Sequence, residues 1–439
     1  MIMEPLLTIA MPTYNRLENL KISLKKLLDD TKGHDEIEVF VSDNASTDGT
    51  KEYVEDIQKE NSNLKYYRNA ENLGFDGNFL NCFRKAQGRY LWILSDDDGL
   101  MESAVERVLH TIGHDPVMVF CNLCLEGARQ DIGVFEQGDT LFLKDKNDFL
   151  KSIGFYIAYE SSLIFNMSFV RKIDNIEKYK GCNIIQSHVA LDIMRHDGTY
   201  AFVRECCLCK SSSEITYDLY HATFYGTKDL IWNTALKSGF DASILNRILY
   251  HTLKWPLMDS YFSLRRSDRI DNKWNKDYLW DALSDYPDLI QMYRLLADTP
   301  RMHLVENFLK VQRMKMAEVI EFCRRYDHVY LYGTGGCAEI FYKYLLEAGI
   351  YIQAAIVSDG EIKKEFHGKD VYYFSEVSLN ENRDCIVVTP FETTSRKIIA
   401  MLKQNGYENN YYENKYATLV DPVTGSFRGT PYTVAALKK

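Results

Sequence analysis

Two hydrophobic periods alternate along the first ~125 residues, and this alternation restricts the fold more than any other feature of the chain. Leu6–Ala10, Ile37–Val41, Leu64–Tyr67, Tyr90–Leu94 and Val117–Cys121 are short apolar runs of strand length. Helical spacing fills the gaps: Leu17–Leu28 (Leu17, Leu20, Leu24, Leu27, Leu28), a helix that Thr47 or Asp48 can cap, Gly77–Gln87 and Met101–Ile112. Such alternation predicts a parallel α/β sheet with helices on both faces. Ligands of these sheets bind at the carboxyl ends of the strands. The polar clusters fall at those ends: PTYNR, SDNASTDGT, RNAENLGFDGN and SDDDG follow the first four strands in turn. Polar loops are ordinary in α/β chains. Loops this rich in Asp, Asn and Gly after four successive strands point to one binding rim.

The last cluster poses an electrostatic problem. In GRYLWILSDDDGL (88–100), Asp96, Asp97 and Asp98 follow an apparently buried strand. Carboxylates this close resist joint ionisation unless a positive charge sits among them. A divalent cation is the obvious candidate, since hard cations take carboxylate oxygens. The alternative is a solvated turn that happens to be acidic.

The 439 residues suffice for two or three domains, and 46% hydrophobic residues provide an ample core. Thirty tyrosines suggest binding surfaces as well as core. A net charge of −10 argues against non-specific nucleic-acid binding. No run approaches the ~20 apolar residues of a membrane span. MIMEPLLTIAMPTYN lacks the pattern of a signal peptide, and Ile2 is not the glycine that myristoylation needs. The expected location is the cytoplasm, with peripheral contact at the inner face of the membrane and homo-oligomerisation left open. Ten cysteines in such a chain are expected as reduced thiols. The C-x-x-C pairs Cys121/Cys124 and Cys206/Cys209 could ligate zinc, but both lie in apolar, strand-like runs and read better as small buried hydrophobes. The sequons at Asn44 and Asn166 carry no meaning without secretion.

The pattern changes after about Ser211. LIWNTALKSGF, RILYHTLKWPLMDSYFSLRR and YLWDALSDYPDLIQMYRLL are helical and aromatic, with Pro256, Pro287 and Pro300 as kinks or breaks. This segment could shape an acceptor site, dimerise or touch a membrane, but such stripes are most often core. From Asp327 a second α/β pattern begins: HVYLYGTGGCAEIFYKYLLEAG, IQAAIVSD, DCIVVTPF and a capped helix, Thr394–Gln404. GTGGCA fits G-x-G-x-x-A, so Gly333, Gly335, Ala338 and Asp359 form a possible second nucleotide site, for NAD(P) or another nucleotide. No oxidoreductase partner residues accompany it, and a Rossmann-like scaffold reads as well. The Gly-, Pro- and Thr-rich end is expected to be a loose tail or a partner arm. The predicted division is 1–215, a helical segment 216–325, a Rossmann-like domain 326–415 and a tail 416–439.

MPTYNR (11–16), VSDNASTDGT (41–50), ENLGFDGN (71–78) and GRYLWILSDDD (88–98), in that order, resemble the family 2 glycosyltransferases, with their GT-A nucleotide-diphospho-sugar transferase fold. The chain is most similar to abequosyltransferase-like members. The resemblance covers the N-terminal half and fades after about residue 215. It implies metal-dependent, inverting transfer of a sugar from a nucleotide-sugar to a hydroxyl of a glycan, lipid-linked glycan or glycoprotein, in cell-surface polysaccharide synthesis, with Mn²⁺ or Mg²⁺. By resemblance Asp43 contacts the base; Pro12, Thr13 and Tyr14 form a loop that can hold it. Arg16 and Asn44 lie in the same motifs and are assigned to the donor. Asn72, Gly74 and Asn78 lie in a loop feeding a helix, where N–H groups suit sugar–phosphate atoms, and Arg68 could offset phosphate charge. Asp97 falls on the usual metal-coordinating acid, flanked by Asp96 and Asp98, either of which could supply a ribose contact.

Two departures stand out. Ser95 occupies the usual first-acid position. SHVALDIMRHDGTYAF (187–202) resembles the helix that carries the family's Glu-Asp base, but places Ser187 and His188 there. An imidazole can act as the base near neutral pH. Asp192, one turn on, could orient His188, and Glu160 in YESSLIF is the rival base. Two other readings stay open: a bifunctional sugar enzyme with a nucleotide-binding C-terminal domain, and a non-catalytic nucleotide-sugar-binding scaffold.

Overall fold

The structure is a computed structural model that describes residues 4–125, 133–210, 221–266 and 276–429. The chain forms two compact units: Met1–Tyr250 with Lys276–Ala282, and His251–Asn275 with Leu283–Lys439.

The first unit is built on β1 (Leu7–Thr13), β2 (Ile37–Asp43), β3 (Leu64–Arg68), β4 (Tyr90–Ile93), β5 (Gly99–Leu100), β6 (Met118–Leu125), β7 (Leu141–Leu143), β8 (Leu163–Asn166) and β9 (Tyr200–Lys210). Their order is β3-β2-β1-β4-β8-β6-β9-β5, with β7 also on β9. β3, β2, β1 and β4 are parallel, as the alternation predicts. The whole sheet is mixed, not parallel. β8 lies antiparallel between β4 and β6. Its four residues form a run too short to carry a period, so the alternation gives no sign of it. β1, β2 and β4 are almost entirely buried, which is why they read as continuous apolar runs.

The loops after these strands are held from within. Asp48 Oδ1 accepts from Thr50 N at 3.2 Å and Oγ1 at 2.6 Å, starting helix Thr50–Gln58. Its Oδ2 accepts from Leu17 N at 2.9 Å, so one carboxylate serves two helix starts. The helix read as Gly77–Gln87 runs Gly74–Lys85, opened by Gly74 at φ +73°.

The second unit has a fully parallel sheet: β10 (His328–Tyr332), β11 (Ile352–Val357), β12 (Val371–Tyr373), β13 (Asp384–Val388) and β14 (Tyr411–Glu413), in the order β12-β11-β10-β13-β14. Gly333 turns at φ +107°, where a Cβ would meet Thr389 Oγ1 at 2.9 Å. Gly335 caps helix Gly336–Glu347, and Ala338 is buried within it. Arg428 packs on Gly336 so closely that a Cβ there would lie 2.3 Å from its Nε. Asp359 accepts from Ser375 Oγ at 2.7 Å. The expected loose tail is corrected in part. Tyr416, Leu419 and Val420 are core residues, and β15 (Thr418–Val420) pairs with β16 (Phe427–Gly429). A few large apolar side chains among Gly, Pro and Thr are enough to dock such a segment.

The middle of the chain is helical where described. Pro256 sits in a π-helical turn, Leu253–Leu257. Pro287 begins helix Pro287–Ala297 and does not break it, because its missing N–H is unpaired there anyway. The C-x-x-C segments lie side by side on β6 and β9, with Cys124 opposite Cys209. No helix of the described residues is long and apolar enough to cross a membrane.

Candidate functional site

The loops after β1 and β4 meet at the carboxyl edge of the sheet. Leu94 N donates to Ala10 O at 2.9 Å, carrying the acid triplet up beside residues 13–16. Thr13 Oγ1 donates to Asp96 Oδ2 at 2.7 Å, and Arg16 Nε pairs with Asp96 Oδ1 at 3.1 Å. The same guanidinium pairs through its second arm with Asp97 Oδ2. Ser95 Oγ donates to Asp97 Oδ1 at 2.5 Å. Asp98 Oδ2 accepts from Tyr159 Oη at 2.5 Å and Ser161 Oγ at 2.6 Å. The positive charge required among the three acids is thus supplied by Arg16.

Burial pushes Asp96 up to about 7, while Arg16 and Thr13 pull it back. Burial also raises Asp98, against its two hydroxyl donors. Burial alone would push Arg16 down; Asp96, Asp97 and Asp98 together hold it above its ordinary value. The donor set is hard carboxylate oxygen, which suits Mg²⁺ or Mn²⁺. Among the described residues, no three acid, His or Cys side chains converge to hold a metal unaided. Mg²⁺ commonly needs only one or two carboxylates beside substrate phosphates. Asp97, with 10% of its side chain exposed, is the most accessible of the three.

Several expected donor residues hold the rim together. Asp43 is fully buried; it accepts from Ser46 N at 2.8 Å and Tyr66 Oη at 2.6 Å, and pairs with Arg68 Nε at 3.3 Å. Arg68 also donates to Ser46 O at 2.9 Å, which ties it to the loop after β2. Asn44 bonds Asn72 Oδ1 at 2.7 Å and Gly74 O at 3.2 Å, and accepts from Leu73 N at 2.9 Å. Asn78 exchanges two hydrogen bonds with Ser42, at 2.7 and 2.9 Å. Asn44 and Asn78 are buried and lock the loops after β2 and β3. Pro12 is half-buried, and Tyr14, 43% exposed, presents its ring at the rim.

The base candidates lie in different surroundings. Glu160 is half-buried and stands between Tyr159 and Ser161, the two residues bonded to Asp98. Burial pushes it up to about 7; Asp98 and Asp97 add to this, and Lys210 opposes it. Lys210 Nζ lies 4.4 Å from the Tyr159 ring centroid. His188, on helix Ile185–Ile193, is 0% exposed. Its Nδ1 bonds Thr234 Oγ1 at 2.7 Å, and its Nε2 is 3.7 Å from Asp229 Oδ2. Asp192 does not orient it. Asp192 accepts from Tyr179 Oη and pairs with Lys178 at 3.2 Å and with Arg195. The i, i+4 spacing allowed a contact that these three stronger donors take over. The Tyr159, Ser161 and Lys210 contacts escaped sequence reading; the polar run YESS before a buried strand is their only signal.

Burial pushes His188 down to about 4, against Asp229 and with Lys178. Between pH 6.5 and about 4 the unfolded chain therefore binds a proton that the folded chain does not. The related stability is present above 6.5 and is lost as pH falls, by about 3 kcal/mol at ~1.4 kcal/mol per unit. Urea unfolding of the first unit will show this acid limb, and His188→Gln will flatten it. Equal limbs in both chains would refute the assignment.

Residues 8–169 match the family model described as Glycosyl transferase family 2. Abequosyltransferase RfbV of Salmonella typhimurium is 42% identical over 102 residues, 23% of this chain and 30% of that protein. The GalNAc(5)-diNAcBac-PP-undecaprenol beta-1,3-glucosyltransferase of Campylobacter jejuni is 29% identical over 173 residues, 38% of this chain and 55% of its own length. The chain thus spans only about a third to a half of these relatives. S. aureus TarS 1-349 with UDP shares 16% identity at a TM-score of 0.49, over 71% of this chain and 91% of TarS. Residues 8–169 are thus similar to the family 2 glycosyltransferases.

Proposed function

We propose that the first unit transfers a sugar from a nucleoside-diphosphate sugar to a hydroxyl of a surface glycan or its lipid-linked precursor, with inversion at the anomeric carbon. The relatives named above, an abequosyltransferase and a glucosyltransferase with an undecaprenol-linked substrate, support that substrate class. The observation that carries the reading is the acid triplet at the end of β4, bonded to the β1 loop and to the two neighbours of Glu160. Tyr14, the Asp43 loop and Asn72–Gly74 line the path of base and ribose. Asp97, flanked by Asp96 and Asp98, would hold Mg²⁺ or Mn²⁺ together with the donor's phosphates, and the ion when bound neutralises the leaving diphosphate. Glu160 takes the proton of the attacking hydroxyl. Its raised value, near the working pH, suits a general base better than a buried imidazole already bonded to Thr234.

Thermal shift against UDP-, GDP-, CDP- and dTDP-sugars, with and without Mn²⁺, tests this. A Mn²⁺-dependent rise in melting temperature with one nucleotide class, lost in Asp97→Ala, is the expected result. No rise with any donor, or a rise unchanged in Asp97→Ala, would overturn the donor and metal assignment.

A further inference from the structure

We infer that Arg16 is a built-in counter-ion of the acid triplet, displaced jointly by a divalent cation and the donor's diphosphate, so that the two ligands bind cooperatively. This rests on the metal-dependent donor site proposed above.

The geometry supplies the argument. Arg16 bridges two carboxylates at once, Nε to Asp96 and the second arm to Asp97. A planar guanidinium is suited to this fork, and it cannot be neutralised by losing its proton. A cation on Asp97 therefore meets a fixed positive charge on the same carboxylate. The two repel at short range, so cation binding alone requires Arg16 to give up a charge-assisted pair. A nucleoside diphosphate alone meets three carboxylates, an equally poor partner. Together the ligands allow an exchange: the cation takes Asp97, and Arg16 turns to a phosphate oxygen, which guanidinium forks match as well as carboxylate. Asp96 keeps the hydroxyl of Thr13 and Asp98 keeps Tyr159 and Ser161, so the triplet holds its shape during the exchange. The Arg16 side chain reaches solvent, at 22% exposed, and follows Asn15 at φ +52°. Were Arg16 only a pin between the β1 and β4 loops, its removal would change stability and leave the coupling intact.

The test measures binding, not turnover. Free Mn²⁺ is titrated by electron paramagnetic resonance with the full chain, alone and with UDP, GDP, CDP or dTDP as the probe. In the parent chain the matching diphosphate should tighten Mn²⁺ binding ~10-fold or more, and Mn²⁺ should tighten that diphosphate equally. In Arg16→Met, Mn²⁺ alone should bind more tightly than in the parent, and the coupling should fall to the part that the diphosphate's own oxygens on the ion supply. Arg16→Lys, a point charge without the fork, should retain part of it. The metal-free Arg16→Met chain should also melt lower, and Mn²⁺ alone should restore it. Synergistic binding that persists unchanged in both variants would overturn the role of Arg16 and leave the donor site standing. If the parent binds no Mn²⁺ with any probe, the donor-site reading falls, and this inference with it.

Discussion

Asp259→Ala will destabilise the second unit by about 3–5 kcal/mol, the usual cost of removing one partner from a buried ion pair. Asp259 and Lys315 are both 0% exposed and lie 2.7 Å apart. Asp259 Oδ2 also accepts from Ala417 N at 2.8 Å and Thr418 N at 3.0 Å. One carboxylate thus joins helix Met258–Arg266, helix Leu304–Cys323 and the segment entering β15. Lys315 Nζ lies 4.6 Å from the Trp255 ring centroid and 5.1 Å from that of Tyr416, which adds cation–π attraction in a dry setting. Burial pushes the Lys315 amine down and Asp259 holds it up. Without the carboxylate, the ammonium must lose its proton or stay charged and unpaired, and two backbone N–H groups lose their acceptor. Asp259→Leu with Lys315→Met should recover most of the loss, since apolar replacement of a whole buried pair is often neutral. Urea unfolding of the single and double variants measures both. A single-variant loss below about 1 kcal/mol would show that the network does not hold this unit together.

The sheet core of the first unit was legible because period and burial agree there. The strands β1, β2 and β4 are buried, so apolar continuity marked them, and the polar loops followed at their ends. Pairing was not legible. Period tells which face a residue takes but not which strand lies beside it, so β8 between β4 and β6 had no signal in its four residues. The acids at 96–98 announced that a cation was needed. They could not announce that Arg16, on a loop 81 residues from Asp97, supplies one. Asn44 and Asn78 show the reverse limit. Their type and place suited ligand contact, yet each bonds neighbouring loops, which Asn does equally well. The second unit's glycine turn was legible from GTGGCA between a strand pattern and a helix pattern. The docking of Tyr416 and Leu419 was not, because it depends on a cavity made by distant helices.

Glu160→Gln will lower turnover ~10²–10⁴-fold while leaving Mn²⁺ and nucleotide binding near parent values, as expected for loss of a general base. The amide keeps the shape and cannot take a proton. Its position is held by neighbours, since Tyr159 and Ser161 on either side are fixed to Asp98. The environment keeps the parent carboxyl up at about 7, so near neutral pH it exists in both forms and can accept and release a proton readily. Burial sets most of that balance, Asp98 adds to it and Lys210 opposes it, so Lys210→Met should move the acid limb of turnover to higher pH. His188→Gln provides the contrast. A fully buried imidazole bonded to Thr234 offers only an Nε2 that faces Asp229 at 3.7 Å, and its loss should reduce turnover less than about 10-fold. Initial rates with the donor found by thermal shift, across pH, separate the two. A dead His188→Gln that still binds nucleotide and Mn²⁺, beside an active Glu160→Gln, would transfer the base to His188 and leave Glu160 as a support for Asp98.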